Sequence, residues 1–307
     1  MHTYSFESMG TTCSIQLYAD SEARGDLLAA YAIAEAERIQ GKYSRYLADS
    51  LLSEINRVAA RGGVIVLDDE TSALFEYAFA CYRKSQHAFD ITSGALRRVW
   101  DFKSGKLPLQ REIDAILPIV GMDKLRWEKP VLEFETPGVE VDFGGIGKEY
   151  AADRMASLLL AEGVEHGLVN LGGDIVAMGP HPDGSAWRIS LRHPREPEVN
   201  LGEIRLTHGS IATSGDYERC IVVDGRRYCH ILDPLTGWPT SGLASVTVLS
   251  RQCMVAGSVT TIAMLKGARG KEWLASMGLP YLWVDDEGQT GGDLLMNHSE
   301  LPEIPDC

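Results

Sequence analysis

A glycine-rich segment, residues 141–154 (VDFGGIGKEYAADR), carries the densest combination of residues suited to chemistry. Three glycines separate a strand-like Val-Asp pair from a helical pattern, so the backbone there can approach a ligand closely. The N-terminus of a helix together with Lys148 favours phosphate, and a pyrophosphate fits this pattern well. The spacing matches neither Walker A nor GxGxxG, so a standard nucleotide-binding fold is not implied. A tight structural connection is the alternative interpretation.

Two other polar clusters could contribute to such a site. In residues 229–239 (CHILDPLTGWP), His230 and Asp233 stand on a strand that ends in a Pro-Leu-Thr-Gly turn. They could act in acid–base chemistry or contact a ligand, although a lone His on a strand is usually a structural group. Residues 170–179 (NLGGDIVAMG) place paired glycines beside an Asp at a strand end, which predicts either a structural turn or a ligand contact.

Two more polar turns follow the same pattern. Residues 88–96 (AFDITSGAL) contain Asp90 and Thr92, and residues 212–219 (ATSGDYER) contain a Ser-Gly-Asp turn. Each is explained by turn chemistry when it is taken alone. Turn chemistry does not explain why so many Gly/Asp turns of this kind occur in one chain.

The elements that must position these turns are a mixture of helices and strands. Apolar residues at helical spacing predict helices over 22–39, 70–86, 149–162 and 255–265. Alternating or apolar runs predict strands over 12–17, 167–170, 187–192, 220–231 and 244–249. No linker or internal repeat divides the chain. We therefore expect a single α+β domain over residues 1–307, with mostly antiparallel sheet flanked by helices and an irregular tail from about residue 291.

Composition excludes several classes of function. The chain has 29 Lys plus Arg against 43 Asp plus Glu, and its net charge of −14 would repel a nucleic-acid backbone. The six cysteines form no CxxC pair and have no His at zinc spacing, which favours reduced thiols. No apolar stretch approaches the roughly 18 to 20 residues of a membrane span, so no membrane insertion is expected. The N-terminus shows no signal peptide, which predicts a cytoplasmic protein, or a periplasmic one if a leader was removed.

Taken in order, these motifs resemble the ApbE family of FAD:protein FMN transferases. The match runs from SMGTTCSIQLY at residues 8–18 through YSRYLADSLLSEIN and the five motifs above to AGSVTTIAML at residues 256–265. It covers nearly the whole chain. The resemblance implies that FAD is split, AMP leaves, and FMN is joined through a phosphoester to a Thr or Ser of a target flavoprotein. Mg²⁺ would neutralise the phosphate charge.

The resemblance also implies which residues form the site. His230 matches a His near the reacting phosphates, where it could accept the proton of the target hydroxyl. Lys148 matches a residue that would hold the phosphates. The positions that match FAD contacts of the family are Met9, Tyr46, Ala88, Phe89, Asp90, Asp142, Lys148 and Ile231.

The metal site implied by the resemblance is atypical in this chain. The family uses a backbone carbonyl of the glycine-rich loop, here Gly145, with an Asp and then a Thr four residues later. Thr261 stands at the Thr position, but Gly257 replaces the Asp. Mg²⁺ accepts waters as ligands, so this change weakens the site without necessarily abolishing it. Glu149, where the family commonly has Gly, adds a carboxylate beside Lys148, and our hypothesis is that it compensates for the missing Asp.

Three functional interpretations follow. The first is an Mg²⁺-dependent FMN transferase, with an FAD pyrophosphatase that gives FMN and AMP as its close relative. The second is a non-catalytic FAD-binding carrier or sensor, in which the change at Gly257 has removed the chemistry. A dinucleotide-dependent redox enzyme is disfavoured because the chain lacks a GxGxxG turn and a CxxC pair. For a transferase, the expected partner is a flavoprotein of an electron-transfer system.

Overall fold

The chain folds around one eight-stranded sheet, and a computed structural model describes residues 1–196 and 198–294. The strands are β1 (His2–Ser8), β2 (Thr11–Leu17), β3 (Gly63–Val66), β4 (Leu125–Glu128), β5 (Val131–Phe134), β6 (Gly167–Leu171), β7 (Asp174–Gly179), β8 (Trp187–Arg192), β9 (Asn200–Leu206), β10 (Gly209–Gly215), β11 (Cys220–Val223), β12 (Arg226–Cys229), β13 (Leu243–Ser250), β14 (Tyr281–Asp285) and β15 (Thr290–Gly292). The main sheet has the order β1-β2-β6-β7-β10-β13-β14-β15, and every neighbouring pair is antiparallel. The α+β class with a mostly antiparallel sheet is confirmed.

Seven α-helices and four short 3₁₀ segments connect the strands of the described chain. The helices are α1 (Glu22–Tyr43), α2 (Leu51–Ala59), α3 (Asp69–Lys84), α4 (Gln110–Ile116), α5 (Gly147–Ala161), α6 (Cys253–Leu265) and α7 (Gly270–Ser276). The 3₁₀ segments are Ile91–Arg98, Leu117–Ile119, Met122–Lys124 and Gly267–Arg269. Over the described ranges, no helix combines the length and apolar character that crossing a bilayer requires.

Helices cover one face of the main sheet and a hairpin covers the other. Helix α5 packs on β6 and β7, helix α6 packs on β10 and β13, and the two helices contact each other. On the opposite face, Trp187 and Leu206 of the β8–β9 hairpin pack against Leu168 and Ile211 of the sheet. The N-terminus of α5 and one face of α6 therefore meet beside the ends of β7 and β10.

The predicted elements occur with shifted ends and three corrections. His230 and Asp233 do not stand on a strand, because β12 ends at Cys229. The segment 220–231 is two strands, β11 and β12, because Asp224 and Gly225 both adopt positive φ (50° and 76°) and form a two-residue hairpin turn. The tail is not irregular from residue 291, since Gly291 and Gly292 pair with β14. Residues 295–307 lie outside the described part of the chain.

Candidate active site

The glycine-rich loop before α5 is held by side chains on both sides. Asp142 Oδ1 accepts a hydrogen bond from the N–H of Gly144 at 2.9 Å, and its Oδ2 pairs with Arg45 Nη1 at 2.9 Å. The ring of Phe89 packs against the loop at Gly145. A Cβ added to Gly145 would lie 3.0 Å from Phe89 Cε2. Any side chain at Gly145 would have to displace that ring. Glycine at this position lets the loop pass close to Phe89 without moving the ring.

Helix α5 places a lysine where the sequence predicts a phosphate contact. Lys148 Nζ lies 2.7 Å from Asp174 Oδ2 at the start of β7. Burial alone would lower the pKa of Lys148, but the neighbouring carboxyl groups of Asp174 and Glu149 outweigh it and raise that pKa. Lys148 therefore stays positively charged. Asp174 belongs to the paired-glycine segment whose role the sequence left open, and in the structure it holds Lys148 in place.

His230 follows β12 directly, and its hydrogen bonding selects one tautomer. Its backbone N–H donates to the carbonyl oxygen of Arg219 at 3.0 Å, and its ring Nδ1 lies 3.3 Å from the same oxygen. Because a carbonyl oxygen can only accept, this contact requires the proton on Nδ1 and leaves the lone pair on Nε2. Within the described chain, Nε2 has no hydrogen-bond partner. The imidazole thus presents an unprotonated Nε2 that no other described residue occupies.

Three cations lie close enough to that imidazole to affect its pKa. Burial, together with the positive charges of Arg97, Arg219 and Lys148, lowers the pKa of the His230 side chain to about 4. Arg97 Nε is 3.4 Å from the carboxylate of Asp142, whereas Arg219 has no carboxylate partner among the residues described. His230 is therefore neutral at pH 7, and the charge of Arg219 is available for a phosphate.

The turn that contains Met9 lies against this group of cations. Met9 (φ 51°) and Gly10 (φ 73°) form the two-residue turn between β1 and β2, which requires positive φ at both positions. The N–H of Met9 donates to Gln40 Oε1. A Cβ on Gly10 would lie 3.8 Å from Arg219 Nη2, so the turn and Arg219 are neighbours.

Asp90 fixes the backbone of its own segment. Its Oδ1 accepts from the N–H and the hydroxyl of Thr92 at 2.7 and 2.6 Å, and its Oδ2 accepts from the N–H of Met122 at 3.0 Å. Burial raises the pKa of this carboxyl although these hydrogen bonds oppose the shift. Because both oxygens are engaged, the side chain of Asp90 holds the neighbouring Ala88 and Phe89 in position.

A depression of about 230 Å³ adjoins this segment. It brings residues next to the AFD motif together with the turn that follows His230. Its lining consists of Tyr82, His87, Asp90, Val120, Gly121, Asp123, Lys124, Pro234 and Leu235. Two motifs that are far apart in the sequence therefore border one concave surface.

Tyr46 and Ile231 lie at opposite extremes of exposure. The side chain of Tyr46 is 78% exposed, and its ring centroid is 5.9 Å from the guanidinium carbon of Arg45, which also pairs with Asp142. Ile231 is buried, and its carbonyl accepts from the N–H of Thr240 at 3.0 Å. Tyr46 is thus linked to the glycine-rich loop through Arg45.

The residues expected around a metal come together where α5 meets α6. A Cβ on Gly145 would lie 3.7 Å from Thr261 Cγ2, and Thr261 Oγ1 lies 3.3 Å from Ser214 Oγ. Glu149 is 7% exposed and faces Gly257. Burial and the charge of Asp174 raise the pKa of Glu149 to about 8.

The described residues contain no group of three or more His, Cys, Asp or Glu side chains that could hold a metal. A metal at this place would therefore need carbonyl, hydroxyl or water oxygens in addition to a carboxylate. Mg²⁺ accepts such a ligand set, which makes the oxygen groups at the α5–α6 junction compatible with it.

Comparison with known proteins identifies the family. The sequence profile of the ApbE family matches residues 9–283. The chain belongs to the ApbE family. The FAD:protein FMN transferase of Vibrio cholerae serotype O1 is 32% identical over 256 residues, which are 81% of this chain and 76% of that protein. A Klebsiella pneumoniae protein of the same name is 31% identical over 268 residues, 85% of this chain and 81% of its own.

Solved structures of the ApbE family share the whole fold. The ApbE protein of Thermotoga maritima and the flavin transferase ApbE of Vibrio cholerae each give a TM-score of 0.85 at 30% identity. Each alignment covers 95% of this chain and 96% of the other. The ApbE fold therefore covers nearly the whole chain.

The neutral state of His230 can be measured directly. In an NMR titration of the imidazole, the His230 ring should remain neutral as the pH falls and become protonated only near pH 4. Removing one nearby cation with Arg219→Ala should raise this pKa, while Arg226→Ala in the same hairpin should leave it unchanged. A wild-type His230 titration midpoint near the ordinary value of about 6.5 would show that burial and the neighbouring cations do not lower the pKa of this ring.

Proposed function

We propose that this protein is an FAD:protein FMN transferase, which moves FMN from FAD to a Thr or Ser hydroxyl of a target flavoprotein. The observation that carries the proposal is a neutral His230 with a free Nε2 lone pair, surrounded by Arg97, Arg219 and Lys148. A general base beside several cations suits an attack on a phosphate diester or anhydride. The names of the relatives support the same reaction.

The cations and the loop would position the FAD pyrophosphate. Lys148 is held by Asp174 at 2.7 Å, and Arg97 reaches the loop, since a Cβ on Gly144 would lie 3.5 Å from Arg97 Nη2. Positive groups held in fixed positions stabilise the charge that builds on phosphate oxygens during transfer. These residues therefore bind the substrate and lower the barrier.

His230 would remove the proton from the acceptor hydroxyl. The hydroxyl oxygen attacks the phosphorus on the FMN side of the pyrophosphate, and a new P–O bond forms. The bond from that phosphorus to the bridging oxygen breaks, and AMP leaves with the electron pair. The proton goes to Nε2 of His230, so the products are AMP and an acceptor that carries FMN through a phosphoester.

Mg²⁺ is the metal expected for this reaction. Gly145 would offer its carbonyl and Thr261 its hydroxyl, and the Glu149 side chain lies against Gly257, one helical turn before Thr261 on α6. A buried Glu149 oxygen, Oε2, has no hydrogen-bond partner in the described structure, which fits a cation at this junction. When bound, Mg²⁺ would neutralise phosphate charge.

The acceptor would be a flavoprotein of an electron-transfer system. The acidic chain makes nucleic acid an unsuitable partner, because its net charge of −14 opposes a phosphate backbone. The cytoplasm is the compartment in which we expect the reaction. The five cysteines of the described chain are free thiols, which are typical of a reducing compartment.

Product analysis tests the proposed reaction. Purified protein is incubated with FAD, with or without MgCl₂, and with or without a flavoprotein domain that the Vibrio cholerae relative modifies in a parallel reaction. AMP and FMN are then separated by chromatography. A transferase releases AMP with Mg²⁺ and acceptor but little free FMN. Equal AMP and free FMN would indicate a pyrophosphatase, and FAD binding without either product would indicate a carrier or sensor.

A further inference from the structure

Glu149 is an unusual residue for the first turn of a helix because its carboxyl points into the protein. The residue is 7% exposed, its Oε2 receives no hydrogen bond from a donor in the described structure, and the polar group that interacts with it most strongly is the carboxyl of Asp174. A buried polar oxygen without a hydrogen-bond donor is costly, and a bound water or ion is one of the reasons for which native proteins retain such an atom. A bound cation would supply the partner that the buried Glu149 oxygen lacks.

The space around that carboxyl is created by a glycine on the neighbouring helix. A Cβ added to Gly257 of α6 would lie 2.5 Å from Glu149 Cγ and 3.0 Å from both Cδ and Oε1. Cβ atoms do not approach other heavy atoms so closely in real structures. The Glu149 side chain thus occupies the volume that any side chain at position 257 would fill, and only one of the two positions can carry a large side chain.

Thr261 and Asp174 carry oxygen groups near this contact. Thr261 lies one turn after Gly257 on the same side of α6, and the glycine-rich loop passes Thr261 at Gly145. On the α5 side, Asp174 is 2% exposed and its Oδ2 is paired with Lys148 at 2.7 Å. Asp174 and Glu149 are thus two buried, interacting carboxyl groups near one ammonium, and a bound cation would stabilise the ionised form of both.

We propose that Glu149 supplies the carboxylate ligand of a divalent cation at the α5–α6 junction, and that Gly257 is required because it leaves room for this side chain. The cation's other ligands would be the hydroxyl of Thr261, the carbonyl of Gly145 and water. Mg²⁺ and Mn²⁺ both prefer such oxygen ligands and commonly use one or two carboxylates. The role of this cation in FMN transfer rests on the proposed function. The binding site itself is tested without FAD and does not depend on that function.

Moving the carboxylate between the two helices gives a decisive set of variants. Glu149→Gln keeps the size of the side chain and removes its anionic oxygen. Gly257→Asp alone adds a side chain to a volume that Glu149 already fills. The double variant Glu149→Gly/Gly257→Asp transfers the carboxylate from α5 to α6. Glu162→Gln, at the opposite end of α5, is the matched control.

Binding of Mn²⁺ to the FAD-free protein, followed by electron paramagnetic resonance, is the readout. Glu149→Gln should weaken Mn²⁺ binding by about tenfold or more, because loss of a direct ligand costs at least as much as loss of a group that orients one. Gly257→Asp alone should lower the melting temperature, and the double variant should regain both the melting temperature and Mn²⁺ binding. Glu162→Gln should behave like the wild type in both measurements.

Two results would overturn the inference. One is unchanged Mn²⁺ binding in Glu149→Gln, and the other is a double variant whose losses are the sum of those of its single changes. Mn²⁺ binding and the melting temperature are both measured without FAD or acceptor. They would therefore remain informative even if the wild-type protein had no transferase activity. Conversely, an active transferase whose Glu149→Gln variant binds Mn²⁺ normally would remove the inference and leave the proposed function standing.

Discussion

Replacing His230 with Asn is expected to reduce the rate of FMN transfer by about 10²- to 10⁴-fold, the usual contribution of a general base. The His230 ring carries its proton on Nδ1 beside the Arg219 carbonyl, so Nε2 is the atom that would accept a proton in the proposed reaction. Asn has no group that can take up a proton at neutral pH. The measurement is the initial rate of AMP release at saturating FAD.

The His230→Asn effect should appear in kcat and leave FAD affinity within a few-fold of the wild type. The surrounding cations, which would bind the phosphates, remain in place in this variant. His208→Asn is the control, because His208 is an exposed residue after β9. Full activity of His230→Asn, or an equal loss in the His208 variant, would contradict the assignment of the base.

Lys148→Met should lower the free energy of unfolding by about 3 kcal/mol, near the lower end of the range for breaking a buried ion pair. The Lys148 side chain is 31% exposed, but its partner Asp174 is only 3% exposed and would be left uncompensated. Urea denaturation measures the loss. FAD binding should weaken in the same variant because a cation that would contact phosphate is gone.

A second substitution distinguishes the loss of the Lys148–Asp174 ion pair from the loss of side-chain packing as the cause of the lower stability. In Lys148→Met/Asp174→Asn the buried charge is removed together with its partner, so most of the lost stability should return. FAD binding should stay weak, since it depends on the cation and not on the pair. If the double variant is as unstable as the single one, the pair with Asp174 does not explain the stability.

The helices and most strands could be predicted because their causes are local. The patterns over 22–39 and 149–162 repeat apolar residues at helical spacing, and helices α1 and α5 form there. The Asp-Gly turn between β11 and β12 is also a local signal, although the strand-like composition of the whole segment predicted one strand. The residues that determine each of these helices and turns are close together in the sequence.

The candidate site could be predicted only in part, because its geometry depends on residues distant in sequence. No local pattern brings Arg97 or Arg219 to His230, since they come from a 3₁₀ segment and from the end of another motif. The pairing of Lys148 with Asp174 likewise joins α5 to β7 across the fold. The resemblance to the ApbE family supplied positions, and the structure supplies the partners that explain their charges and orientations.

The steric relation between Glu149 and Gly257 could also not be predicted from the sequence. The two residues are on different helices, and the distance of 2.5 Å that would separate a Cβ at position 257 from Glu149 Cγ has no sequence signature. The sequence could raise the hypothesis of a compensating carboxylate. Only the packing of α5 on α6 shows that one position must be small when the other is large.

The most direct test of a transferase is the intact mass of the acceptor after reaction with FAD and Mg²⁺. The acceptor should gain the mass of one FMN less one water, and fragmentation should place it on a Thr or Ser. A Val substitution at that residue should abolish the gain, and the Vibrio cholerae relative serves as the positive control. If that relative modifies the acceptor while this protein binds FAD and leaves the acceptor's mass unchanged, the proposed function is wrong.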